Sequence, residues 1–161
     1  MTIKAGDKIP SVKLRHMTKD GVKEITTDEI FKGKKVAIFG LPGAFTPTCS
    51  AKHLPGYLAN FDKFKEKGVD TIVCISVNDS FVMDAWGKSQ NVGDKVLMAA
   101  DGNADFAKAL GIEMDGTGYG MGLRMKRFSA YVVDGDVKAF NLEKPGAFEV
   151  SNAETMLTQV N

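Results

Sequence analysis

Two cysteines, two histidines and one tryptophan are spread through 161 residues, and none of them clusters. Two cysteines cannot build a disulfide framework, and a reducing compartment keeps them as thiols at rest. Any disulfide they make is expected to be transient. An excess of charge of either sign is also missing: 21 Lys and Arg stand against 20 Asp and Glu, a net charge of +1, with the basic residues placed singly or in pairs. No basic stripe argues for nucleic acid or an anionic membrane. Long apolar runs are absent. The opening MTIKAGDKIP turns polar within a few residues, unlike a signal peptide, and no later run approaches the length of a membrane span. The expectation is a cytoplasmic protein whose partners are small molecules or proteins. There is no linker, internal repeat or low-complexity stretch, and with 43% hydrophobic residues the chain reads as a single domain, residues 1 to 161, able to bury a core.

Within that frame the elements alternate. VKLRH (12 to 16) and VKEI (22 to 25) flank KDG (19 to 21) as a hairpin, and Thr26 with Glu29 has the spacing of a capping box for a short helix stopped at Gly33. VAIFGL (36 to 41) is a continuous apolar run of the kind buried on both faces of a sheet. Leu54, Leu58, Phe61 and Phe64 recur at helical spacing up to Gly68, which predicts the longest helix, bent early by Pro55. VDTIVCISV (69 to 77) predicts a second buried strand, and Asn78 to Ser80 can cap a helix running through Phe81, Ala85 and Trp86. KVLMAA (95 to 100) predicts a third strand, and ADFAKALG (104 to 111) a short helix. FSAYVVDGDVKAFNL (128 to 142) is a hairpin about Asp134-Gly135, and Ser151 with Glu154 forms a capping box for a C-terminal helix. The fold class is α/β: a thioredoxin-like fold with a mixed central sheet, helices on both faces and an added N-terminal hairpin.

LPGAFTPTCS (41 to 50) then places Cys49 just past the C-terminal edge of the first core strand, in a loop stiffened by Pro42 and Pro47. Open α/β sheets put their ligand sites there. Unpaired N–H groups and the helix dipole at a helix start favour a thiolate. A small apolar filler is the plainer reading of a cysteine, but a stiff loop-to-helix junction is a poor place for one. Dithiol exchange within the motif is excluded, because Thr46 stands where the first cysteine of C-x-x-C would be. What remains is one thiol with a hydroxyl a helical turn away.

Pro42, Thr46 and Cys49 spell P-x-x-x-T-x-x-C, and with VNDSFVMDAWGK (77 to 88) and RMKRFSAYVVDG (124 to 135) the chain resembles the peroxiredoxins, in particular the type II or peroxiredoxin-5-like subfamily. The resemblance implies a thiol-dependent peroxidase that reduces hydrogen peroxide and alkyl hydroperoxides through a Cys49 sulfenic acid. Cys49 would be the peroxidatic thiol, Thr46 and Pro42 its pocket, and Arg127 its cationic partner. A planar guanidinium suits that task, because its several N–H donors can hold the sulfur and polarise the peroxide together. Arg124 and Lys126 read as surface charges, and His53 as a structural hydrogen bonder rather than a base for Cys49. His16 is expected to be exposed. GTGYGMG (116 to 122) fails the spacing of a phosphate loop and reads as a rim of the active-site mouth. A homodimer is implied as well, with Phe45 in its interface, whereas Phe81 and Trp86 could be core.

GAFEVSNA (146 to 153) holds no resolving cysteine, which leaves Cys74, 25 residues after Cys49 and at the spacing of a second cysteine in plant-type relatives. It is placed about four residues, roughly 13 Å, below the active-site edge, too far for a disulfide without local unfolding. Regeneration by glutathione and glutaredoxin is therefore expected. Thioredoxin acting through a Cys49–Cys74 disulfide is the alternative, and a non-enzymatic thioredoxin-like redox sensor is a second one. No cofactor or metal is expected beyond glutathione as reducing co-substrate.

Overall fold

The structure, a computed structural model, describes residues 1–160. The predicted hairpin forms from β1 (Lys13–Thr18) and β2 (Gly21–Thr26), and Thr26 and Glu29 close a capping box on α1 (Thr27–Phe31). Three further strands, β3 (Lys35–Leu41), β4 (Thr71–Ser76) and β5 (Leu97–Ala100), run parallel to one another. The last hairpin is β8 (Phe128–Val133) with β9 (Asp136–Leu142). Asp134 and Gly135 both have positive φ, 49° and 79°, as the turn preferred by a right-twisted hairpin requires. Together these strands make a seven-stranded mixed sheet in the order β2-β1-β5-β4-β3-β8-β9. The thioredoxin-like fold with helices on both faces is the one observed.

Side chains alternate along β3 and β4 to feed two cores. Ala37, Phe39, Leu41, Ile72 and Cys74 face one side, packed by helices α2 (Leu54–Ala59), α3 (Phe61–Glu66), α4 (Ser80–Ser89) and α6 (Ala153–Gln159). Val36, Ile38, Val73 and Ile75 face the other, under α1 and α5 (Asp105–Leu110). Cys49 and Cys74 share the first core, and both are free and buried.

Three elements differ from the expectation. The long helix is divided: Cys49–His53 is a single π turn, α2 follows, and α3 starts after a break at Asn60, so that α4 is the longest helix. Pro55 has no N–H to continue the regular ladder, and the Leu54 N–H reaches back five residues to the Cys49 carbonyl. At the break, the Asn60 side chain donates to Gly56 O at 2.8 Å and to Glu154 Oε2 at 2.9 Å, competing with the helix backbone. The C-terminal helix is capped by Asn152, which accepts from Thr155 N at 2.7 Å, while Ser151 and Glu154 bond elsewhere. The segment around GTGYGMG forms a small hairpin of its own, β6 (Glu113–Asp115) with β7 (Leu123–Met125), joined by a 3-10 turn at Thr117–Tyr119.

Candidate active site

The site lies where β3 ends. Ala44 N donates to Asn78 Oδ1 at 2.9 Å, and Ser76 Oγ donates to the same oxygen at 2.7 Å, so the loop after β3 is tied to the loop after β4. Phe45 adopts φ 64°, a conformation that bulky side chains rarely take. Its half-exposed ring tilts against Trp86 at 6.5 Å. The helix then starts at Thr46, whose carbonyl accepts from Ser50 N at 3.0 Å, with Pro47 at the first helical position. Trp86 Nε1 donates to Ser50 Oγ at 3.0 Å and Gln90 Nε2 to Ser50 O at 3.2 Å, which anchors the π turn.

Cys49 is fully buried at the head of that turn. Arg127 Nη2 donates to Cys49 Sγ at 3.1 Å, and Arg127 Nη1 donates to His53 Nδ1 at 2.8 Å. A guanidinium has no acceptor, so His53 Nδ1 must be the unprotonated nitrogen and Nε2–H donates to Ser151 O at 3.0 Å. Burial, reinforced by the Arg127 charge, pushes the His53 pKa down to about 3, and the ring is neutral near pH 7. The guanidinium also lies 5.7 Å from the Phe148 ring.

Ser151 is held in turn. Its N–H and its hydroxyl both donate to Glu143 Oε2, at 2.8 and 2.7 Å, and the N–H groups of Glu149 and Val150 donate to the same oxygen at 2.8 Å. Burial raises the Glu143 pKa, but these hydrogen bonds outweigh it and hold the carboxyl below its ordinary value. Tyr57 OH gives Ser151 O a second hydrogen bond at 3.0 Å. A continuous line of contacts therefore runs from Glu143 through Ser151, His53 and Arg127 to the sulfur.

The other predicted residues fall around this line. Pro42 and Thr48 share the wall of a small cavity with Arg127. Thr46 Oγ1 donates to Gly43 O at 2.7 Å, which leaves the hydroxyl oxygen free to accept. Arg124 is no simple surface charge: it is half-buried, with Nε on Met121 O at 2.9 Å and Nη1 on Pro42 O at 3.3 Å. That bond brings the 116–122 segment against the Cys49 loop, where a rim was expected. His16 is half-buried rather than exposed. Phe81 is 69% exposed, whereas Trp86 is core. Among the described residues no three His, Cys, Asp or Glu side chains gather as metal ligands.

Cys74 sits in β4 opposite Phe39 and Met98, two residues before the strand ends at Ser76. Its depth is thus roughly 7 Å rather than 13 Å. Burial, and then the neighbouring Cys49, push its thiol pKa well up, which favours the unreactive protonated form.

Known proteins share both sequence and shape with this chain. The redoxin family profile matches residues 4–157. Peroxiredoxin-2E, chloroplastic, of Arabidopsis thaliana is 44% identical over 160 residues, covering 97% of this chain and 68% of that protein. The chain is a type II peroxiredoxin. Among solved structures, reduced Prx3 of Vibrio vulnificus in complex with hydrogen peroxide superposes with a TM-score of 0.95 at 50% identity, over 99% of this chain and 100% of that one. Peroxiredoxin 5 of Alvinella pompejana gives 0.88 at 35% identity, over 98% and 97%. Membership makes this peroxiredoxin one of the thiol peroxidases. The neighbours of Arg127 in it, namely His53, Phe148 and the Glu143–Ser151 pair, were not legible as a group from the sequence. The one available signal was His53 lying four residues after Cys49, expected as a structural hydrogen bonder, and it does bond, to Ser151 O and to the Arg127 guanidinium that stands between it and the sulfur.

Proposed function

We propose that this peroxiredoxin reduces hydrogen peroxide and alkyl hydroperoxides with Cys49 as the attacking thiol, Arg127 as its cationic partner, and Thr46 and Pro42 as the pocket. The observation that carries this reading is the bridging guanidinium, which touches Cys49 Sγ with one nitrogen while the other is fixed on His53. The thiolate attacks one peroxide oxygen, the O–O bond breaks, and the departing oxygen takes a proton from solvent to leave as water or alcohol. Cys49 becomes a sulfenic acid. Negative charge moves from sulfur to the leaving oxygen, and fixed N–H donors beside that path lower the barrier. The Thr46 oxygen, with its own proton on Gly43 O, can accept the peroxide O–H and so orient it. That the Vibrio vulnificus relative was solved with hydrogen peroxide supports the choice of substrate.

For regeneration we favour glutathione with glutaredoxin. The glutathione thiol attacks the sulfenic sulfur, releasing water and leaving a mixed disulfide on Cys49. A glutaredoxin thiolate then attacks the glutathione sulfur and frees the Cys49 thiolate. Burial and the raised pKa of Cys74 support this route, whereas its place in the same apolar core as Cys49 favours the thioredoxin alternative through a Cys49–Cys74 disulfide. We also propose a homodimer that covers the exposed rings of Phe45 and Phe81, and a cytoplasmic location, consistent with two free thiols. No helix among the described residues is long and apolar enough to cross a membrane. The deciding assay is peroxide consumption with glutathione and glutaredoxin, with thioredoxin and its reductase, and with neither, using Cys49→Ser as control. Turnover by glutathione and glutaredoxin that Cys49→Ser abolishes is expected. Stoichiometric oxidation without turnover by either system would make the protein a sensor.

A further inference from the structure

Beside Arg127 a cavity of about 130 Å³ is walled by Pro42, Thr48, Lys126, Glu143 and Lys144. Its charge is lopsided. Lys126 is half-buried and Lys144 exposed, and neither side chain has a hydrogen bond or ion pair among the described residues. Arg127 spends one N–H on Cys49 and one on His53, and its Nε–H has no partner among the described residues. The only carboxylate in the wall, Glu143, already takes four N–H and O–H donors on Oε2. Three cations thus meet one carboxylate whose charge is already spread over its own loop. The space holds about four waters, which is room for a carboxylate group. Ammonium groups beside a guanidinium with an unpartnered N–H are a donor set that carboxylates select.

We propose that this cavity is a carboxylate site, which holds the acidic end of a small co-substrate while its reactive end meets Cys49. Arg127 lines the cavity and also bonds the Cys49 sulfur, so a ligand held there lies one guanidinium away from the buried thiol. The proposal rests on the reading of Cys49 as the reacting thiol. The carboxylate arrives on a small thiol that reduces the sulfenic acid or on a hydroperoxide that forms it, and the chemistry of recognition is the same for both.

The probe is N-acetylglycine, titrated into the reduced protein and followed by the backbone amide resonances of Lys126, Gly146 and Ala147, with its methyl ester as the neutral control. Saturable shifts with the acid, weakened by added salt and absent with the ester, are expected. The Lys126→Gln, Lys144→Gln pair should bind the acid at least tenfold more weakly, and the Lys126→Arg, Lys144→Arg pair should restore binding. Equal responses to acid and ester, or wild-type affinity in the glutamine pair, would overturn the site. Two kinetic arms identify the source: reduction of the Cys49 sulfenic acid by glutathione against glutathione diethyl ester, and oxidation of Cys49 by a fatty-acid hydroperoxide against its methyl ester. A preference for the acid that the glutamine pair loses in the first arm assigns a thiol, and in the second a peroxide. Loss in neither overturns the co-substrate role. The titration needs no turnover, so it reads the site even if the peroxidase reading fails.

Discussion

His53 holds Arg127 by its unprotonated nitrogen, Nδ1 to Nη1 at 2.8 Å, and so acts on Cys49 through the arginine rather than directly. Removing the acceptor in His53→Leu frees the guanidinium to swing, and misplacing a reacting group by about 1 Å costs on the order of 100-fold. Sulfenic acid formation, followed by stopped-flow fluorescence, should slow roughly 10- to 100-fold. His53→Gln, which can still offer an acceptor, should recover part of the rate. Arg127→Lys keeps the charge and loses the two-handed contact, and should slow the same step at least as much. An unchanged rate constant in both the His53→Leu and the Arg127→Lys variants would remove the clamp from the mechanism.

The same histidine makes stability depend on pH. The unfolded chain protonates this ring below its ordinary 6.5, whereas the folded chain resists until about 3. Between these values the unfolded state binds more protons, so stability is fully present above pH 6.5 and falls as the pH drops, by about 2 kcal/mol at pH 5. Glu143, whose folded pKa lies below its ordinary 4.5, adds a loss of the same sign at still lower pH. Urea unfolding at pH 7.5, 6 and 5 measures the slope, and His53→Leu should flatten it. A slope as steep in the variant would assign the effect to other groups.

Cys74→Ser should keep most of its peroxidase activity with glutathione and glutaredoxin, because the thiol is buried and its pKa is pushed up. Mass spectrometry of the oxidised wild-type protein should find glutathione on Cys49. A Cys49–Cys74 disulfide together with an inactive variant would make Cys74 the resolving residue.

Gly40 stands opposite Phe128 at the top of the β3–β8 ladder, and a Cβ there would meet the Phe128 ring and come within 2.7 Å of Met125 Sδ. Gly40→Ala should cost about 1–3 kcal/mol by overpacking. Because Phe128 follows Arg127 directly, the peroxide step should slow as well. Thermal unfolding and the oxidation rate read the two effects separately, and wild-type values for both would show that the ring yields freely.

The local signals were legible because each rests on neighbours in sequence. Asp134-Gly135 sets its own turn, Thr26 and Glu29 cap their own helix, and Pro42, Thr46 and Cys49 lie within one loop and one helical turn. The clamp around Arg127 was not legible, because His53 meets Ser151 across 98 residues and Arg127 across 74. No spacing rule reports such distances. The C-terminal cap lies one residue beyond the expected Ser151, because Ser151 and Asn152 both suit the role and Glu143 takes the Ser151 hydroxyl for itself. The strands β6 and β7 hold three residues each, too few to show a period.

β8 lies against β3 in the sheet, yet 78 residues of chain separate Cys49 from Arg127. A ribosome making this protein releases the cysteine long before the arginine has been synthesised. Until the last hairpin zips onto the side of β3, that thiol has no guanidinium beside it, and non-local strand pairing of this kind is among the slower events of folding. Under the proposed mechanism, a nascent or clipped chain ending before residue 127 carries a cysteine without its cationic partner.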